Sequence, residues 1–164
     1  MRTARKQIEL VAALLGEENT LSLATTGKDS LACVAPLFYI VDEEISLYWL
    51  SSRSSLHSLN LARTPIAAAT VYRNVKNWKE IRGVQLRGTV SKVTDPKRRS
   101  VLLNAYCERF KLGRVLRPAL RLSTLYCLEP DFFRYIDNAR GFGSKFELKR
   151  GAEGWSLTRR PVLG

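Results

Sequence analysis

The sequence predicts a small, mainly β barrel with a few flanking helices. Three observations carry this. About seven runs of β-branched, aromatic and aliphatic residues follow one another at hairpin spacing. Turn signals such as Thr26-Gly27-Lys28-Asp29 and Asp42-Glu43-Glu44 separate them. The longest run, "IRGVQLRGTVSKVT", is interrupted by Gly83 and Gly88, as where a strand bends at a barrel corner. The 164 residues, 45% of them apolar, suit one domain: an N-terminal helix over 4–15, the barrel over about 20–150, and a C-terminal hairpin and tail over 150–164.

Each element has its own signal. Ile8, Val11, Ala12 and Leu15 fall at i, i+3, i+4, i+7, and Gly16 ends that helix. A three-strand meander follows over about 21–25, 31–40 and 45–50. Ser55 to Ala62 fits two helical turns, stopped by Thr64-Pro65 because the residue before proline is pushed out of the α region. "PIAAATVY" is almost wholly apolar and reads as a strand buried on both faces. Asp95-Pro96 opens a helix to about Phe110, with Val101, Leu102, Ala105 and Cys107 inward; a basic helical piece over 113–121 follows. "LSTLYCLEP" and "DFFRYIDN" read as two strands broken at Glu129-Pro130, and a glycine-rich turn and a last hairpin complete the chain.

Composition excludes several classes. Cys33, Cys107 and Cys127 are odd in number and widely spaced, so they make neither a disulfide framework nor a zinc pattern. With one histidine in the chain, a tetrahedral metal site is not expected. No apolar run approaches the ~20 residues of a membrane span. The N-terminal apolar stretch is broken by Gln7 and Glu9 and lacks a small-residue cleavage site, so the chain reads as cytoplasmic with no membrane partner. There is no P-loop, no dinucleotide fingerprint and no convincing Ser-His-Asp set.

The net charge of +12 raises the question of a polyanionic partner. Lys97, Arg98, Arg99, Arg109, Lys111, Arg114, Arg117 and Arg121 stand against Glu108 alone. A solvated helical face and an anion-attracting surface both fit. Only Tyr106 and Phe110 lie near, which is no stacking platform, so nucleic acid is not the expected partner.

Three segments carry candidate chemistry. In "SSRSSLHSLNLARTP", Ser54 and Ser55 precede a helix, His57 lies in its first turn and Arg53 just upstream. A helix N-terminus offers unpaired N–H groups and partial positive charge, so a phosphate cradle and a capped surface helix are both open. "IRGVQLRG" offers Arg82, Gln85 and Arg87, and "DNARGFGSKFEL" sets Asp137, Arg140 and Lys145 around two glycines.

These stretches together resemble the pyridoxamine 5′-phosphate oxidase-like, FMN-binding split-barrel superfamily. The matching features are Pro36-Leu37-Phe38 on a strand, the Ser51–Leu61 segment, and the Thr64-Pro65 strand opening. "IRGVQ" and "DN-x-x-GFG-x-K" are similar to its YhbP-like branch, and the likeness covers residues 8–148. The resemblance implies a six-stranded split barrel and a homodimer with FMN at its interface. It implies that Ser55 and His57 hold the flavin phosphate, with Ser52 or Arg53 nearby. Pro36, Leu37, Phe38, Leu50, Ser51 and Ser52 would lie along the ring system, with Arg82 and Gln85 near it and Lys145 in the glycine-rich turn. The superfamily has a lysine where this chain has His57, so a permanent cation becomes a titratable one. The pyridoxamine oxidase substrate signature is not evident, so that activity is not carried over. The implied function is a flavoprotein, with oxidoreductase chemistry on an unidentified small molecule; the alternative is a non-enzymatic flavin- or heme-binding barrel.

Overall fold

A computed structural model describes residues 2–113 and 116–159. Arg114 of the basic run and the tail beyond Arg159 lie outside the described residues, as does the side chain of Arg117. The strands are β1 (Thr20–Thr26), β2 (Ala32–Phe38), β3 (Ile40–Val41), β4 (Leu47–Ser51), β5 (Ile66–Tyr72), β6 (Arg82–Lys92), β7 (Thr124–Asp137), β8 (Lys145–Gly151) and β9 (Gly154–Arg159). All pairings are antiparallel, in the order β2-β1-β5-β6-β7-β4-β3, with β8 and β9 extending from β7.

That order contains the reason the sheet curls. β2 and β3 stand at opposite ends of it, yet only Tyr39 separates Phe38 from Ile40 in the chain. The ends of the sheet must therefore meet, and they meet through a covalent crossing without a ladder. This is a six-stranded barrel, β2 to β4, left split along one side. The expected meander is corrected here: β4 pairs with β7, not with β2.

One inward row crosses five strands: Leu23, Ala69, Leu86, Phe133 and Leu148. All five are buried, and each large apolar side chain contributes about 1.5–3 kcal/mol by leaving water. The corresponding outward row is Pro36, Ser22, Thr70, Gln85, Arg134 and Glu147.

The expected break at Glu129-Pro130 is a bulge within one strand. Arg87 pairs with Phe132 and Gly88 with Pro130, so Asp131 is the extra residue. An inserted residue flips the alternation of a period-2 strand. Phe133 and Tyr135 face the core after the bulge, whereas Tyr126 and Leu128 do so before it. Leu125 and Cys127 then face outward and are covered by α3 with Tyr48, Leu50 and Leu102.

The helices are α1 (Arg2–Glu17), α2 (Leu56–Arg63), α3 (Pro96–Arg109) and α4 (Arg117–Leu122). Val11, Leu14 and Leu15 of α1 enter the main core. Asp95 caps α3, its Oδ1 accepting from the Arg98 N–H at 2.7 Å. The buried face of α3 is Leu102, Leu103, Tyr106 and Cys107; Val101 and Ala105, expected inward, are exposed. The basic run is not simply a solvated face. Arg98 donates to Tyr48 Oη, Arg99 to the carbonyls of Arg121 and Ser123, and Arg109 to Asn19 Oδ1. β5 is also corrected: only one face is buried, and Ile66, Ala68 and Tyr72 lie exposed on the other.

Candidate phosphate grip and cation cleft

Ser51 ends β4 opposite Thr124 of β7, at the barrel end that α2 plugs. The chain then turns tightly. Ser52 Oγ accepts from the Ser54 N–H at 3.2 Å, and the Ser52 carbonyl accepts from the Ser55 N–H at 3.2 Å. Ser55, in extended conformation, is the N-cap of α2, but its side chain makes no capping bond. Its Oγ instead lies 2.9 Å from the Ser52 carbonyl, 2.8 Å from Ser58 Oγ and 3.0 Å from His57 Nε2. His57 Nε2 is also 2.7 Å from Ser51 Oγ. The first N–H groups of α2 are thus left without the serine oxygen that usually satisfies one of them.

His57 is half-buried, and burial lowers its pKa from the ordinary 6.5. Desolvation disfavours the imidazolium and favours the neutral ring. One ring nitrogen is shared by two serine hydroxyls. An arriving dianion would oppose the desolvation and favour the proton.

Arg53 makes no hydrogen bond to His57 and is anchored on the strand next door, on the residue that pairs with Ser51. Its Nε donates to Thr124 Oγ1 at 3.3 Å, along the wall of a cleft of about 380 Å³. Lys92, Arg99 and Arg121 line the same cleft. Sequence reasoning missed Lys92 and Thr124 and did not foresee this convergence. The four cations come from distant elements, and the density of basic residues over 97–121 was the one available signal.

The remaining expected site residues divide. Pro36 and Gln85 share the outward face, beside a shallow groove lined by Ser22, Ala24, Val34 and Ala68. Gln85 Oε1 accepts there from Arg134 at 3.4 Å. Leu37 turns the other way and packs against the core, so only its backbone follows that face. Phe38 sits at the far end of β2 with its ring 4.9 Å from Phe110. Leu50 packs under α3. Arg82 lies on the opposite face of β6 from Gln85, with its Nε 3.7 Å from Asp137 Oδ1; Arg140 reaches the same carboxylate at 3.2 Å. Lys145 opens β8 beside Ile136, near that end of the barrel. Arg82 and Lys92 are ten steps apart on β6, about 33 Å at 3.3 Å per residue. Arg82 and Lys145 therefore do not join the grip within one chain.

The crossing that closes the sheet, the split beside it and the helix plugging one end define the split barrel of pyridoxamine 5′-phosphate oxidase-related, FMN-binding proteins. The chain belongs to the pyridoxamine 5′-phosphate oxidase family, whose model matches residues 8–136. It is 27% identical over 149 residues to a UPF0306 protein of Klebsiella pneumoniae (strain 342), covering 88% of this chain and 97% of that one. Among solved structures, a pyridoxamine 5′-phosphate oxidase-related, FMN-binding protein of Nostoc punctiforme superposes with TM-score 0.68 at 13% identity, covering 96% and 95% of the two chains. HutZ, the heme storage protein of Vibrio cholerae, superposes with TM-score 0.62 at 19% identity, covering 74% and 88%.

Proposed function

We propose that the protein is an FMN-binding flavoprotein, with oxidoreductase activity on a small molecule. The observation that carries this is the β4–α2 junction. Ser52, Ser54 and Ser55 hydroxyls, His57 and the uncapped N–H groups of α2 gather there, and helix N-termini favour phosphate. Between Ile45 and Thr94 the one acidic residue is Glu80, so no carboxylate of this segment competes at the junction. Flavin supplies hydride or electron transfer when bound. This chain supplies the hydroxyl and N–H donors for the phosphate, and an apolar outward face for the ring system.

The same face supports a homodimer. Val34 on β2 and Ile66 and Tyr72 on β5, the two strands that flank β1, are 69%, 59% and 58% exposed. Exposed apolar side chains spread along one sheet face favour its being covered by a partner. A second copy of this chain would cover it and form the second wall of the flavin groove. Arg82 and Lys145 would reach the flavin only from that second copy.

The test is the absorption spectrum of the purified protein, followed by FMN titration of wild type and Ser55→Ala. We expect flavin bands, or uptake of one FMN per chain, and about tenfold weaker binding in the variant, since a hydrogen bond to a charged group is worth about 1.5–3 kcal/mol. A colourless protein that takes up no FMN overturns the proposal. The heme reading rests on the shared fold with HutZ and on His57, the single histidine. Uptake of hemin with a Soret shift that disappears in His57→Ala would favour it over FMN.

A further inference from the structure

The cleft beside the grip has a chemistry of its own. Arg53 comes from the β4–α2 turn, Lys92 from the end of β6, Arg99 from α3 and Arg121 from α4. Among the described residues no acidic side chain lines it, and none of the four takes part in an ion pair. Two of the guanidiniums are held in place by neutral partners. Arg99 Nη2 donates to the Arg121 and Ser123 carbonyls at 2.9 and 2.8 Å, which leaves its Nη1 and Nε unspent. Arg53 is tethered through Nε alone, which leaves both Nη groups.

Four like charges gathered without counter-charges repel one another and cost stability. Fixed guanidinium forks suit phosphate oxygens and lose little freedom on binding. A cleft of about 380 Å³ holds more than one phosphate group. Leu122 and Leu125 add an apolar side wall. No aromatic ring of the described residues lines the cleft, so it offers a single-stranded nucleic acid nothing to stack on.

We propose that this cleft binds the phosphoanhydride (diphosphate) group of a small-molecule ligand. The proposal stands without the flavin reading. If FMN occupies the grip, Arg53, anchored on Thr124 opposite Ser51, sets the bound diphosphate beside the flavin phosphate.

The experiment is calorimetric titration of the full chain at low ionic strength with inorganic pyrophosphate and, separately, inorganic phosphate. The variants are Lys92→Gln and Arg121→Gln; the second keeps the backbone carbonyl that Arg99 uses. Arg150→Gln is the charge control, because Arg150 is exposed on β8 over Trp155. We expect pyrophosphate to bind at least about tenfold more tightly than phosphate, and each cleft variant to weaken it about tenfold or more. Arg150→Gln should leave it unchanged, and Lys92→Arg should restore it. No binding of pyrophosphate, or equal loss in Arg150→Gln, overturns the proposal. So does a single-stranded oligonucleotide that displaces pyrophosphate and depends on the same two residues. A chain that binds pyrophosphate in this pattern but takes no FMN supports the cleft and sinks the flavin reading alone.

Discussion

Gly88→Ala tests the geometry that places the grip. Gly88 pairs with Pro130 just before the bulge, where β7 presses its backbone onto β6. A Cβ at this position would lie 2.0 Å from the Glu129 oxygen, 2.7 Å from its carbonyl carbon and 2.8 Å from the Pro130 Cα. All three are backbone or ring-anchored atoms, so no flexible side chain can yield. The strands must part by more than ~1 Å. That forfeits two or three ladder hydrogen bonds at about 1 kcal/mol each. Residual overpacking adds about 1–3 kcal/mol. The total, about 3–6 kcal/mol, is a large share of the about 5–15 kcal/mol that holds a domain together. At about 2–4 °C per kcal/mol for a chain of this length, the melting temperature should fall by about 10 °C. Urea and thermal unfolding followed by circular dichroism measure this. Gly16→Ala, with nothing within 4 Å and a helical position, is the control and should be neutral or stabilising. A Gly88→Ala protein within about 1 kcal/mol of wild type would show that the bulge does not seat β7 as described.

His57 gives two pH predictions of opposite sense. Its folded-state pKa is lowered by burial, so the unfolded chain binds the proton more readily. Stability from the neutral ring is full above pH 6.5 and is lost as pH falls through the lower folded value. The melting temperature of the empty protein should therefore drop from pH 7.5 to pH 5, and by less in His57→Gln. If FMN phosphate lies against His57, binding favours the imidazolium, and affinity relative to His57→Gln should fall from pH 5.5 to 8.5; a flat ratio would remove His57 from the grip. At the other end, Asp137→Ala leaves Arg82 and Arg140 facing each other and should cost about 1–3 kcal/mol. A double-mutant cycle with Arg82→Ala should show coupling, and strict additivity would mean that the pair contributes nothing.

Local chemistry was legible without coordinates. The Asp95-Pro96 helix start, the Val11 and Leu15 face of α1, the glycine turn after Thr26 and the start of α2 just after Ser55 are all decided by residues within about four positions of one another. Backbone donors, fixed φ angles and helical periodicity act over that range. The serine and histidine part of the candidate site belongs to this class, because one turn and one helix start assemble it.

Tertiary structure alone decided which strands meet. The pattern of β4 suits any apolar neighbour, and nothing in it distinguishes β7 from β2. The Asp131 bulge was hidden because an alternation that flips at one residue looks like two strands. Arg82 and Gln85 stand on opposite faces, as the two-residue period implies once the bulge is placed after Arg87, outside the stretch between them. Arg53, Lys92, Arg99 and Arg121, far apart in sequence, were brought together by the β6–β7–β4 ladder and the two helices beside it. Non-local pairing leaves no local trace, because the free energy that selects it comes from the burial of the whole inward face and not from any one segment.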